Sequence, residues 1–257
     1  TAVEARGLLE MGNQSLTLEE PDKALEYFQK VIQQYPTEHE TSAEAAFSLN
    51  RIHALVGNRE KLVDSLVQVI RDYPDVEYWK QKSMEEIFRI YENQPTVEKK
   101  ISSLQALAET DIPLLSAMVQ NRIGELYYQS AENLLAKEAY QKTQGVEEEV
   151  FKAKFALASI YAEEENFDKS LSIYREISGG LDGPYARSAR EGLIQKTLEK
   201  GYWELRVGEV KLALKTFLQL IEFSPHTVKA HRGYLQANAA LRKNAVRFYQ
   251  DRLRSNP

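Results

Sequence analysis

Apolar residues recur along most of this chain at intervals of three and four, which is the spacing of one face of an α-helix. The stripe within residues 21–35 is formed by Ala24, Leu25, Phe28, Val31 and Ile32. Tyr35-Pro36 closes this segment, because proline cannot continue the hydrogen-bond ladder of a helix. Short polar links separate successive stripes, so the pattern predicts helix, turn, helix throughout, with no β-sheet.

The chain also repeats itself between Asn121 and Tyr174. A shift of 34 residues places a small residue on a small residue and an aromatic on an aromatic; the pairs are Gly124 with Ala158, Tyr127 with Tyr161, Ala136 with Ser170 and Tyr140 with Tyr174. A fixed period of this size is typical of stacked repeats with one supersecondary unit per period. The small residues are expected where two helices approach closely.

These residues resemble the tetratricopeptide repeat, which places a small residue, a spaced tyrosine, an alanine, an aromatic and a final proline in this order. The same order recurs near both ends of the chain, at Met11, Gly12, Ala24, Phe28 and Pro36 and at Gly233, Ala245, Tyr249 and Pro257. The resemblance implies an all-α fold, a right-handed superhelical solenoid of about seven helix-turn-helix units. It says little about the particular function, because such arrays are scaffolds for binding.

We expect residues 1–257 to form a single repeat array. The least regular unit covers about residues 75–113, where the small residues expected in its first helix are missing. Residues 178–184 hold the strongest loop signal, interpreted as an inserted surface loop with a hinge as the alternative. In the last unit, from about Thr227 to Pro257, the predicted inward stripe is Ala245, Val246, Tyr249 and Leu253.

Charge and composition narrow the function classes. A net charge of −5 argues against a nucleic-acid surface, which is normally basic. No apolar stretch is long enough for a transmembrane segment. The absence of cysteine excludes disulfides, thiolate metal sites and cysteine nucleophiles, and leaves the compartment open. Because the chain begins at Thr1, we expect a processed product or an excised fragment.

The sequence holds no phosphate-binding loop, nucleophile elbow or zinc-binding helix motif, so we expect neither an enzyme nor a cofactor or metal site. The acidic runs at residues 147–149 and 163–165 are interpreted as solvated charge. His226 and His231 are five residues apart and point to different helix faces. His53 occupies the aromatic position of the second unit, which favours a packed neutral imidazole.

In a solenoid of hairpins, the first helix of each pair lines the concave surface. Counting from the small residue of each unit, the predicted partner-binding residues are Asn13, Phe47, Arg51, Asn121, Glu125, Tyr128, Phe155, Tyr202, Tyr234 and Asn238. Aromatic rings mixed with amides and arginine suit peptide recognition. The alternative for each ring is packing against the next hairpin.

Chaperone-binding members of the family hold a C-terminal carboxylate with lysine, asparagine and arginine along this groove. The matching positions here are Leu9, Asn13, Ser48, Lys152 and Ala156. Only two of the five have suitable chemistry, so the resemblance does not predict a carboxylate clamp.

The sequence thus predicts a non-catalytic scaffold that binds a partner protein or peptide. Two helix endings, VIQQYP at residues 31–36 and VIRDYP at residues 69–74, are similar to repeat proteins of the bacterial cell envelope. These are the outer-membrane assembly lipoproteins and the periplasmic coordinators of Tol–Pal, which implies a periplasmic or envelope location, with the cytoplasm as the alternative. Two other functions stay open: a self-assembling repeat, and an accessory domain of a larger enzyme.

Overall fold

The computed structural model describes residues 1–179 and 184–255, including their side chains except those of residues 184, 249 and 252–255. These residues form thirteen α-helices and no β-strand. The helices are α1 (Ala2–Thr17), α2 (Pro21–Gln34), α3 (His39–Leu55), α4 (Arg59–Asp72), α5 (Glu77–Glu92), α6 (Val97–Ala108), α7 (Pro113–Gln129), α8 (Asn133–Lys142), α9 (Glu147–Glu163), α10 (Phe167–Gly179), α11 (Pro184–Arg206), α12 (Val210–Phe223) and α13 (Val228–Ser255). The predicted all-α class is confirmed.

Local signals set where several helices begin. Thr1 and Glu4 form a capping box at the start of α1, in which each side chain accepts a hydrogen bond from the other residue's backbone. Pro21 stands in the first turn of α2, where a missing N–H costs nothing. The side chains of Asn58 and Thr96 accept hydrogen bonds at the starts of α4 and α6.

The chain divides into two compact units, residues 1–119 and 120–257, with the boundary inside α7. In unit 1, α1 packs on α2, α3 on α4, and each of these hairpins on the helix that follows. Phe28 of α2 is fully buried. A Cβ atom at Gly12 of α1 would lie only 2.5 Å from its ring, so the small residue is where the two backbones approach.

Unit 2 uses the same contact and extends it to the next hairpin. The ring of Phe217, on α12, lies between Gly201 of α11 and Gly233 of α13, where added Cβ atoms would come within 2.7 and 2.4 Å. Gly124 faces Tyr140 in the same way, at 2.8 Å. The small and aromatic residues that recur in the sequence are therefore residues in close contact, both between the two helices of a hairpin and between a hairpin and the helix that follows it.

The last unit differs from the prediction. It is one continuous helix, α13, because no glycine or proline interrupts the chain between Gly233 and Pro257. Ala245 and Val246 were predicted to face inward, but both are exposed, since no helix among the described residues folds back to cover them. The other two members of that stripe lie outside the described side chains.

The irregular unit and the loop insertion are seen in part. Helices α5 and α6 form the third pair, and α5 buries a small residue, Ser83, that the repeat spacing did not predict. At the predicted loop, α10 runs to Gly179 and α11 begins at Pro184, while residues 180–183 lie outside the described residues. The organisation of residues 1–257 as a single array stays a prediction. None of the described helices is both long enough and apolar enough to cross a membrane.

Candidate partner-binding surface

The first helices of the hairpins in unit 2, α7, α9 and α11, and the final helix α13 present a row of polar and aromatic side chains. The hydroxyl of Tyr128, on α7, donates a hydrogen bond to the Glu163 carboxylate of α9, with the two carboxylate oxygens at 2.6 and 2.8 Å. This hydrogen bond raises the pKa of Tyr128. The ring remains 37% exposed, so it is both positioned and accessible.

Glu163 also lines a cleft of about 420 Å³ between α9, α10, α11 and the start of α13. Its lining residues are Ala162, Glu163, Glu165, Phe167, Gln195, Leu198, Glu199, Tyr202, Trp203, Arg206 and Lys229. The rings of Phe167 and Trp203 lie 5.8 Å apart. Tyr202 packs edge-on against Phe217 and donates its hydroxyl to the Lys229 carbonyl at 3.1 Å, which fixes one wall of the cleft.

We define the first-helix face by Glu125, Tyr128, Glu163, Tyr202 and Lys229. It begins on α7, crosses α9 through the bond between Tyr128 and Glu163, and continues into the cleft. Glu125 lies at its edge, with its side chain 49% exposed and paired with Arg122 at 2.5 Å. Three of the ten predicted partner-binding residues, Glu125, Tyr128 and Tyr202, therefore belong to one described surface.

Asn121 has a different environment from its predicted neighbours. Its amide nitrogen donates to the backbone oxygen and to Oε2 of Glu149, at 3.0 and 2.7 Å, and its amide oxygen accepts from Thr143 Oγ1 at 2.9 Å. Glu149 is buried and is also paired with Lys152 at 2.6 Å. Asn121 thus ties together α7, α9 and the link after α8.

The remaining predicted residues of unit 2 are half-buried. Phe155 packs edge-on against Tyr174, with ring centroids 5.7 Å apart. Tyr234 packs against the buried cluster around Phe217. Asn238 lies one turn further along α13 and is partly exposed.

In unit 1, Phe47 packs on Trp79 with ring centroids 5.0 Å apart. Asn13 is half-buried on α1, and Arg51 is exposed on α3. A role of these three residues in binding a partner stays a prediction, as it does for the residues of unit 2.

Sequence reasoning missed Glu163 and Lys229 of the first-helix face, and Trp203 and Arg206 of the cleft lining. Glu163 lies five residues after Ala158, an offset that was applied only in the last unit, at Asn238, and Trp203 lies two residues after Gly201, an offset that was not used. Lys229 belongs to the final helix, so only the packing of α13 on α11 brings it to the cleft. The acidic run at residues 163–165 was a usable signal, but it was interpreted as solvated charge.

The histidines form no metal site with other groups in the described part of the chain, where no cluster of potential ligands is found. His39 contacts Asp75 at 2.7 Å, and His231 contacts the Pro225 carbonyl at 2.8 Å. Burial lowers the pKa of His53, which fits the expected neutral imidazole.

The order and packing of the helices define a class of protein built from stacked helical hairpins. Residues 7–37, which include Gly12, Ala24, Phe28 and Pro36, match the family "Tetratricopeptide repeat", so the resemblance predicted from sequence is confirmed. No curated protein has a matching sequence.

Several solved structures are similar over most of the chain. They include pilF of Pseudomonas aeruginosa, at 15% identity and a TM-score of 0.38 over 93% of this chain and 98% of that one. A tetratricopeptide repeat protein from Parabacteroides merdae has 14% identity and a TM-score of 0.36 over 91% and 98%. The TPR2AB domain of yeast Sti1, solved in a complex with pHSP90, has 14% identity and a TM-score of 0.34 over 93% and 100%. Likenesses this low assign no partner to the chain.

Proposed function

We propose that this chain is a non-catalytic interaction scaffold, and that it binds an extended segment of a partner protein along the first-helix face of unit 2. The observation that carries the proposal is the continuity of this face. Tyr128 is joined to Glu163, and Glu163 lines the same cleft as Tyr202 and Lys229. A partner segment lying across the helices would contact several repeats at once, as extended ligands of repeat proteins do.

The side chains on this face suit such a partner. Tyrosine and tryptophan offer large contact areas at a low cost in conformational entropy, and they are enriched among the residues that dominate binding energies. The cleft volume of about 420 Å³ lies within the range of about 300–1,000 Å³ typical of ligand pockets. It is large enough to hold one or two side chains of a bound segment.

Site-specific photo-crosslinking tests the proposal. A benzophenone side chain at Arg206, which is exposed at the cleft, should form an adduct with a partner protein in an extract of the source cells. The control position is Leu218, which is 46% exposed on the second helix α12. We expect an adduct from position 206 that is absent from 218 and is lost when Tyr128→Ala is added. Equal adducts from both positions would contradict the proposed surface.

The finer part of the proposal is a place in an assembly of the bacterial envelope. Its support is the similarity of the VIQQYP and VIRDYP endings, which end α2 and α4, to envelope repeat proteins. Fractionation of the source cells tests it, since the full-length protein should be recovered with the periplasm or the envelope. Recovery in the cytoplasm alone would contradict it.

A second candidate function is self-association through α13. Residues 242–248 of this helix are all exposed, and residues 228–257 hold seven lysines or arginines and one aspartate in a chain of net charge −5. A basic helix of this kind could pair with the acidic remainder of another copy. Sedimentation velocity over a range of protein and salt concentrations tests this candidate. If the protein is a monomer under every condition, self-association is contradicted and only the interaction scaffold remains as the proposed function.

A further inference from the structure

We infer that the cleft of unit 2 binds a lysine or arginine side chain of the partner, so that the partner segment is basic where it crosses α9 and α11. This inference rests on the proposed function and specifies the class of partner. Three carboxylates reach the cleft from three different places: Glu163 from the end of α9, Glu165 from the turn that follows, and Glu199 from α11.

The acidic run at residues 163–165 is therefore divided between two environments. Glu164 turns away from the cleft and pairs with Lys137 at 2.7 Å. Glu163 accepts a hydrogen bond from the Tyr128 hydroxyl, and Glu199 accepts one from Gln195 at 3.0 Å and one from Lys196 at 2.9 Å. These contacts leave further lone pairs on both carboxylates, because each carboxylate has about four acceptor sites. Glu165 pairs with no other side chain in the described part of the chain.

The rest of the lining suits the stem and the head of a long cationic side chain. Phe167 and Leu198 are apolar and can cover the methylene groups, which lysine and arginine bury readily along apolar surface. Trp203 and Tyr202 present ring surfaces, and tryptophan is the ring that attracts cations most strongly. A guanidinium or ammonium group placed here would meet rings and carboxylates together, and charge-assisted hydrogen bonds are the strong ones.

Arg206 of α11 and Lys229 of α13 also line the cleft, and they would instead favour an acidic side chain. We infer the basic occupant because the lining holds three carboxylates and only these two cations. The wider charge of the chain agrees, since residues 1–227 hold 37 acidic residues against 26 lysines and arginines. A field of this sign steers basic segments toward the surface.

Selection from phage-displayed random heptapeptides on the full chain tests the inference. Selected peptides should share a lysine or arginine at one position. Replacing an arginine at this position by the neutral citrulline, or a lysine by the neutral norleucine, should weaken binding at least tenfold. The protein variant Glu165→Gln/Glu199→Gln should also weaken binding at least tenfold, and the two losses should not add, because they remove one interaction.

The matched control is Glu209→Gln/Glu222→Gln, which removes the same charge from exposed positions outside the cleft. Circular dichroism of each variant establishes that it is folded.

Two results would overturn the inference, and they separate it from the proposed function. Peptides that lose binding on Tyr128→Ala but lack a basic residue, or carry an acidic one, would overturn the inference and leave the proposed function intact. A selection that yields no peptide sensitive to Tyr128→Ala would overturn both.

Discussion

Lys200 pairs with Asp168 rather than with the buried carboxylate of Glu204, one turn further along the same helix. Its Nζ atom lies 2.6 Å from Asp168 Oδ1 and 3.9 Å from Glu204 Oε1. Glu204 has no exposed surface, and neither of its oxygens has a hydrogen-bond partner among the described residues. It stands three residues after Gly201, the position at which the regular repeats have Tyr127 and Tyr161. Burial disfavours the charged form, so it raises the pKa of Glu204, and this outweighs the lowering effects of the nearby Thr216 hydroxyl and of Lys200.

A carboxyl whose pKa is higher in the folded state than in the unfolded state costs stability as the pH rises through the folded value. We therefore expect Glu204→Gln to be more stable than the wild type at pH 8, by about 1–3 kcal/mol, the usual penalty for an unsatisfied buried polar group. The gain should shrink at pH 5, where more of the wild-type carboxyl is protonated.

Urea unfolding at pH 5 and pH 8 measures this difference. The control is Glu222→Gln, an exposed carboxyl on α12, which should change stability equally little at both values. A gain from Glu204→Gln that is the same at pH 5 and pH 8 would show that Glu204 does not titrate in this range.

Two glycines of α1 should respond in opposite ways to alanine. A Cβ atom at Gly7 would have no neighbour within 4 Å, so Gly7→Ala should stabilise the protein by about 0.5–1 kcal/mol through the helix preference of alanine. A Cβ atom at Gly12 would lie 2.5 Å from the buried ring of Phe28. Gly12→Ala should therefore destabilise it by about 1–3 kcal/mol, as overpacking does.

Thermal unfolding, monitored by circular dichroism, compares the stabilities of the two variants, which differ only in their position on α1. Stabilisation by both substitutions would mean that the ring of Phe28 moves aside at little cost. The close contact of small residue and ring would then not explain the repeat pattern.

Asn121 should matter more for stability than for binding. Asn121→Ala removes three hydrogen bonds and leaves buried Glu149 less well satisfied, so we expect a loss of about 1–3 kcal/mol in the free energy of unfolding. Glu125→Ala in the same helix removes only an exposed ion pair, and should change stability by less than about 0.5 kcal/mol. Denaturant unfolding compares the two. If Asn121→Ala leaves the unfolding midpoint unchanged but weakens partner binding, this residue contributes to binding rather than to stability.

Tyr128 should matter more for binding than for stability. Because its ring is exposed, Tyr128→Ala should weaken binding of the partner or a selected peptide by about 1–2 kcal/mol, typical of a truncated interface anchor. Tyr128→Phe keeps the ring and removes only the bond to Glu163, so its effect on binding should be smaller. Calorimetric titration and thermal melts of both variants separate the two quantities. If Tyr128→Ala lowers the melting temperature markedly and binding per folded molecule is unchanged, the ring acts in packing.

Charge reversal at Glu125 should show the influence of salt. Glu125→Lys places a cation at the edge of the first-helix face, where a basic partner would be repelled. The loss of affinity should be larger at about 0.01 M than at about 1 M ionic strength, because the Debye length falls from about 30 to about 3 Å. Glu222→Lys, on α12, is the control of equal charge. A loss that is independent of salt would point to a direct hydrogen bond.

The sequence by itself determined the secondary structure, since that depends on signals within a few residues. Helical spacing predicted the α-helices, Pro21 and Thr96 mark helix starts, and Tyr35-Pro36 ends α2. The register of small and aromatic residues even predicted the close contacts, which the structure shows at Gly12 with Phe28 and at Gly124 with Tyr140. Where no break signal existed, after Gly233, the sequence led to a misplaced inward stripe.

The tertiary structure alone decided which polar residues of unit 2 meet. Asn121 follows the same spacing rule as Tyr128, but Thr143 and Glu149 draw it into the packing between helices. The cleft depends on contacts such as Tyr202 with Lys229, which are 27 residues apart. Local periodicity specifies which side of a helix faces its neighbours, but not which side chains of the next hairpin it meets. That choice follows from how the hairpins stack, which is a property of the packed core.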